Sequence, residues 1–117
     1  MSECLFIGRF QIKDGKQEDF GQVAKRIMAA VAKEPGVKRY DWYEGKDGAV
    51  MAVEIYVSGE AVMEHMTGEA GALLPEIFEF ADVVGIDLYG EPGATVREAM
   101  AAFPITYYPE PTFSPGG

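Results

Sequence analysis

Apolar and polar positions follow two periods along this chain, and the switches between them mark out its elements. From Glu3 to Ile12 hydrophobic residues are dense and lack helical spacing, which predicts a strand. Cys4, Phe6, Gly8, Phe10 and Ile12 fall on one face of it, and Leu5, Ile7, Arg9 and Gln11 on the other. Both rows begin apolar, so this strand is predicted to be covered on two sides. After Asp14-Gly-Lys-Gln17, a capping-box-like start, the period changes. Phe20, Val23, Ala24, Ile27, Met28 and Val31 recur at i, i+3, i+4, with Glu18, Gln22, Lys25 and Lys33 mainly opposite them. The spacing predicts an amphipathic helix ended by Pro35-Gly36.

Two strands, Val37 to Glu44 and Ala49 to Val57, are predicted next, joined by a tight antiparallel hairpin at Gly45-Lys-Asp-Gly48. A second helix runs from Gly59 to about Thr67, and Gly68 and Gly71 break the chain. A short third helix is predicted from Pro75 to Ala81, and a fourth strand from Val83 to Tyr89. Thr95-Val-Arg-Glu98 has the form of a capping box and predicts a helical segment over Val96 to Phe103. Pro104, Pro109, Pro111 and Pro115 then forbid regular helix or a central strand. That tail is expected to lie extended on a surface, ordered to about Tyr108 and mobile from Ser114 to Gly117.

The order β-α-β-β-α-α-β is a split β-α-β pattern: an α+β, ferredoxin-like fold with helices on one face of an antiparallel sheet. Residues 1–92 form that unit, and residues 93–117 add a helix and a Pro-rich tail to the same domain. Helices cover only one face, yet the strands are apolar on both. A second copy of the chain, sheet against sheet, is the economical cover, and a homodimer is expected.

Composition narrows the chemistry. A chain of 117 residues, 48% hydrophobic, is long enough to bury a core without disulfides or a structural metal. The net charge of −9 repels phosphate backbones and anionic membrane surfaces, so neither nucleic acid nor membrane is an expected partner. There is no signal-like N-terminus and no apolar run of roughly 20 residues, so a cytoplasmic location is expected. Cys4 is the single cysteine and reads as an inert, partly buried thiol. Glycine-rich nucleotide loops, G-x-S-x-G and HExxH are all missing from the sequence.

Glu34-Pro-Gly-Val37, Tyr40-Asp-Trp-Tyr43, Glu54-Ile-Tyr56, and Glu60-Ala61 with His65 occur in an order that resembles the antibiotic biosynthesis monooxygenase-like family. Tyr89-Gly90 followed by the Thr95–Ala102 stretch looks like a branch with a C-terminal extension. The resemblance covers roughly residues 3 to 108. It implies a dimeric α+β barrel, and for one class of members a cofactor-free oxygenation in which an electron-rich substrate anion reacts directly with oxygen. Haem-degrading relatives need only one axial His, but this acidic chain offers few cations for propionates.

His65 is the only histidine, and it sets the available acid–base chemistry near neutral pH. On a helical wheel Ala61, Val62, His65 and Met66 share an arc of about 140°, so His65 is predicted to face the sheet. It reads either as a core histidine or as a pocket base, with Tyr56 the first hydrogen-bond partner. With no carboxylate cluster near it, a catalytic zinc or non-haem iron site is not expected. Glu54 shares a strand face with Tyr56, and a salt bridge to Arg9 or Lys38 would account for it. Tyr40 and Trp42 share a face of the second strand, able to stack on a planar ligand or simply to pack. The Met28, Met51, Met63 and Met66 set reads as adaptable core filler. Phe10, Tyr40, Trp42, Tyr56, Met66 and Phe78 are the candidate substrate contacts, with His65 the candidate catalytic residue and no metal or cofactor. The expected activity is cofactor-independent monooxygenation of a small phenol- or quinol-type aromatic. The competing readings are a non-catalytic ligand-binding or structural dimer, and an isomerase or decarboxylase using the same pocket.

Overall fold

The computed structural model describes residues 2–116; Gly117, the last residue of the tail expected to be mobile, lies outside them. In chain order the elements are β1 (Cys4–Ile12), α1 (Gln17–Val31), β2 (Val37–Glu44), β3 (Ala49–Tyr56), α2 (Gly59–Thr67), α3 (Glu69–Ala72), α4 (Leu74–Phe80), β4 (Ala81–Tyr89), α5 (Ala94–Ala99) and β5 (Ile105–Tyr108). The sheet order is β2-β3-β1-β4-β5. Its first four strands pair antiparallel, as the split β-α-β order requires, and β5 joins β4 in parallel.

Strand period two puts Cys4, Phe6, Phe10 and Ile12 of β1 on the buried, helix-facing side. In register beside them lie Tyr56, Glu54, Ala52 and Val50 of β3, and on the other flank Leu88, Ile86, Val83 and Ala81 of β4. Helix α1 buries Phe20, Val23, Ile27, Ala30 and Val31 against this face. Each of its larger apolar side chains contributes about 1.5–3 kcal/mol. The core falls into two parts: one under α1 and α4 around Ile27 and Ile77, the other under α2 and α5 around Cys4, Val62, Leu88 and Val96. The seam between them holds the cavity described below.

Several boundaries differ from the sequence expectation. Asp14 does not cap α1: Gly15 turns the chain at φ 75°, and Lys16 precedes the helix without a side-chain cap. Ser58 is the side chain that caps α2, accepting from the Ala61 amide at 3.2 Å. Such a cap is worth about 1 kcal/mol. Gly68 ends α2 as expected, but Gly71 does not break the chain; it lies inside α3, where a Cβ would run into the Met66 carbonyl. Thr95 is likewise inside α5 rather than its cap, because Gly93 at φ 92° starts the helix earlier. Met100 to Phe103 form turns instead of further helix. Of the tail expected to be extended, the Ile105–Tyr108 segment is a paired edge strand, and bends and turns follow it. Among the described residues, no helix is long and apolar enough to cross a membrane.

Among the described residues, the opposite sheet face carries no helix. Leu5, Ile7, Val53 and Ile55 are half-buried at its centre, and Met51, Tyr89 and Tyr108 are exposed around them. Ion pairs Arg9–Asp87 and Arg39–Asp41, each at 2.8 Å, border this apolar field. Met51, expected as core filler, is therefore on the uncovered face. The sheet does not close on itself.

Candidate functional site

A cavity of about 80 Å³ lies between the helix-facing side of the sheet and the helices above it. Phe6, Gly8 and Phe10 of β1, Tyr40 of β2 and Glu54 and Tyr56 of β3 line its floor. Val62, His65 and Met66 of α2, with Leu74 and Phe78 of α4, line its roof. Val83 and Ile86 of β4 add to the wall, and Met100 and Phe103 of the C-terminal extension complete it. The Phe78 and Phe103 rings meet at 6.0 Å, which joins the extension to α4 across the cavity wall.

His65 reaches this space because it falls on the inward arc of α2, one turn after Ala61. It is 5% exposed, and its Nδ1 lies 2.8 Å from Glu34 Oε1. Glu34 sits in the turn between α1 and β2, where Pro35 restricts its backbone and its amide donates to Val31 O at 2.9 Å. The other side of Glu34 faces a surface depression formed with Lys33, Gly36, Ala61 and Glu64. The carboxylate thus stands between the buried imidazole and the exterior. A carboxylate accepting from Nδ1–H leaves the lone pair of a neutral imidazole on Nε2.

The second polar pair comes from β3. Tyr56 donates its hydroxyl to Glu54 Oε1 at 2.6 Å, two residues along the same strand face. Burial raises the Glu54 carboxyl above the ordinary carboxylate range, the Tyr56 hydrogen bond and His65 opposing this and the Glu34 charge adding to it. Burial also drives both phenols upward, with the Glu54 charge reinforcing it, so Tyr40 and Tyr56 stay neutral hydrogen-bonding groups. Their rings flank the imidazole at 5.2 and 5.4 Å.

A carboxyl with a raised pKa gives the fold stability that is complete below its ordinary range and is lost as pH rises through the raised value. Glu54→Gln is therefore expected to melt at a higher temperature than the unmodified protein near pH 8. The difference should vanish near pH 4, where both side chains are neutral. Thermal melts at the two pH values check this.

The structure brings His65, Phe10, Tyr40, Tyr56, Met66 and Phe78 together around one cavity, and it leaves Trp42 out. Trp42 packs on Phe20, Tyr40 and Phe10 at 5.6, 5.9 and 6.1 Å and borders a separate groove between α1 and β2. Its Nε1 is buried without a hydrogen-bond partner among the described residues. The hydrogen-bond partner of His65 is Glu34 rather than Tyr56, whose hydroxyl is committed to Glu54. Among the described residues Glu54 has no salt bridge: Arg9 points to the opposite face and pairs with Asp87, and Lys38 pairs with Glu3. His65 thus has one carboxylate, Glu34, in hydrogen-bond contact, and among the described residues no group of three or more His, Cys, Asp and Glu is placed to hold a metal ion. Cys4 is fully buried, and desolvation first, then Glu91 and Glu3, raises its thiol, in keeping with an inert side chain.

Sequence reasoning missed Glu34 as the partner of His65, and Met100 and Phe103 as cavity wall. For Glu34 the available signal was a carboxylate fixed before Pro35 at a helix end. For the extension it was only the apolar content of an otherwise Pro-broken segment.

Comparison with protein families matches residues 5–71 to the model described as antibiotic biosynthesis monooxygenase. Among solved structures, MupZ from Pseudomonas fluorescens is similar with a TM-score of 0.83 at 21% identity, covering 100% of this chain and 98% of that one. Rv0793 from Mycobacterium tuberculosis gives 0.69 at 20% identity, covering 80% and 98%. SnoaB, a cofactor-independent oxygenase from Streptomyces nogalater, gives 0.66 at 16% identity, covering 80% and 97%. The MupZ likeness includes the C-terminal extension. At these identities the likenesses concern the fold. No curated protein matches the sequence.

Proposed function

The chain belongs to the antibiotic biosynthesis monooxygenase family, and we propose from that premise that its cavity deprotonates a small phenol- or quinol-type aromatic for direct reaction with oxygen. The observation that carries this reading is the 2.8 Å contact of His65 with Glu34 at the edge of a largely apolar, aromatic-lined cavity. A base that must take a phenolic proton has to be unprotonated and within reach of the substrate. The tyrosines are held neutral and burial favours the protonated form of Glu54, which leaves Nε2 of His65. The proton moves from the substrate hydroxyl to Nε2, and Glu34 stabilises the imidazolium that forms. The resulting anion, held among Phe10, Tyr40, Tyr56, Met66 and Phe78, is the species that oxygen attacks. That SnoaB is a cofactor-independent oxygenase on the same fold supports this mode.

The test is oxygen uptake with a panel of substituted phenols, hydroquinones and hydroxynaphthalenes, with and without the His65→Ala change. Uptake that depends on His65 is the expected result. Saturable binding of the same compounds with no uptake would instead favour a ligand-binding protein.

Assembly belongs to the same proposal. The uncovered sheet face, with Leu5, Ile7, Val53 and Ile55 at its centre and ion pairs at its border, suits a second copy placed sheet against sheet. Sedimentation at micromolar concentration is expected to give twice the 12.8 kDa chain mass. Arg substitutions at Ile7 and Val53 should shift it to the monomer.

A further inference from the structure

We propose that Glu54 is the proton donor of this cavity and that, with His65 as base, it gives the protein an oxygen-independent activity, the enolisation of planar cyclic ketones. The inference rests on the reading of His65 as a base. His65 enters the cavity from α2 and Glu54 from the sheet below it, so a flat molecule held between roof and floor meets a base and an acid. The donor inventory of the lining is short. Among the described residues it contains no Lys, Arg, Asn or Gln, so no side-chain cation or amide is there to receive an enolate oxygen. Tyr56 already spends its proton on Glu54 Oε1, which leaves the other carboxyl oxygen of Glu54 and the Tyr40 hydroxyl.

Of these two, Glu54 can release a proton as well as share one. Its burial, opposed by the Tyr56 hydroxyl and by His65 and reinforced by the Glu34 charge, favours the neutral acid. Burial first, then the neighbouring Glu54 and Glu34 side chains, holds the Tyr40 phenol undissociated.

The step is closed in atoms and electrons. His65 Nε2 takes a proton from carbon next to the carbonyl, and that C–H pair becomes the C=C bond. The carbonyl π pair moves to oxygen, which takes the proton of Glu54, and a neutral enol results. Reversal returns a solvent-derived proton to carbon. Nothing is oxidised or reduced.

The experiment follows deuterium incorporation into 2-tetralone in D₂O without oxygen, read by mass spectrometry against a buffer blank. The unmodified protein is expected to exceed the blank, and Glu54→Gln to lose about 100-fold, within the range of general acid–base contributions. Exchange by the unmodified protein should fall as pH rises through the Glu54 value, at a pH above the ordinary carboxylate range. The remaining activity of Glu54→Gln should lack that fall. A thermal melt checks that Glu54→Gln is folded; if it is not, Glu54→Asp should retain the alkaline fall at a reduced rate.

Exchange no faster than the blank, with oxygen uptake still dependent on His65, overturns this proposal and leaves the oxygenase reading standing. Exchange that is unchanged in Glu54→Gln but lost in Tyr40→Phe overturns it in favour of Tyr40. Loss of exchange in His65→Ala, with exchange in Glu54→Gln reduced and without its alkaline fall, is the pattern that supports it.

Discussion

Replacing His65 with alanine is expected to lower oxygen-dependent turnover by about 10²- to 10⁴-fold while leaving the fold intact. Burial holds Tyr40 and Tyr56 neutral and favours the protonated form of Glu54, which leaves the imidazole to act as the base of the cavity. The change also removes the partner of the Glu34 carboxylate. Glu34 is 19% exposed at its side chain and faces a surface depression, so water can replace the lost contact. The stability loss should therefore stay near the low end of the roughly 1–3 kcal/mol cost of an unpartnered polar group. Steady-state oxygen uptake and a thermal melt separate the two effects. Glu34→Gln should act in the same direction and less strongly: an amide oxygen can still accept from Nδ1–H, but it no longer stabilises the imidazolium.

The other large effect concerns the C-terminal extension. Removing residues 94–117 takes Val96 and Met100 out of the second half of the core and Phe103 off the cavity wall. It also strips β5 from its ladder with β4. Buried Met or Phe truncations cost about 2–5 kcal/mol each, and total domain stability is about 5–15 kcal/mol. The shortened chain is expected to lose cooperative unfolding, or to melt far below the full-length protein. The point variants Met100→Ala and Phe103→Ala should each lower the melting temperature measurably. Both should also loosen binding of any aromatic occupant, which fluorescence titration would register.

Local pattern carried much of this structure and stopped where pairing became non-local. The i, i+3, i+4 row from Phe20 to Val31 marked α1 because a helix chooses its face within its own sequence. The inward arc of α2 placed His65 correctly for the same reason. Strand parity put Glu54 and Tyr56 on one face, but their partners depend on register. Once β1 pairs with β3, Glu54 stands opposite Phe6, and Arg9 opposite Met51 on the far side. No salt bridge to Arg9 can form across a sheet. Glu34 reaches His65 over 31 residues of sequence, a closure decided by how α2 packs beside the α1–β2 turn. Capping motifs misled at Asp14 and Thr95 because nearby glycines, at positive φ, started the helices at other residues.

Pro104 and Pro109 bracket β5, the strand at one end of the sheet. Proline offers no amide to a neighbouring ladder, so a strand so short and so bounded is a poor template for further pairing. At the other end, the register of β2 slips at Lys38, between Val37 and Arg39, and a charged, bulged edge is equally uninviting. Both ends of the sheet are therefore guarded against lateral growth, and concentrated solutions should resist fibril formation even though one broad sheet face remains apolar.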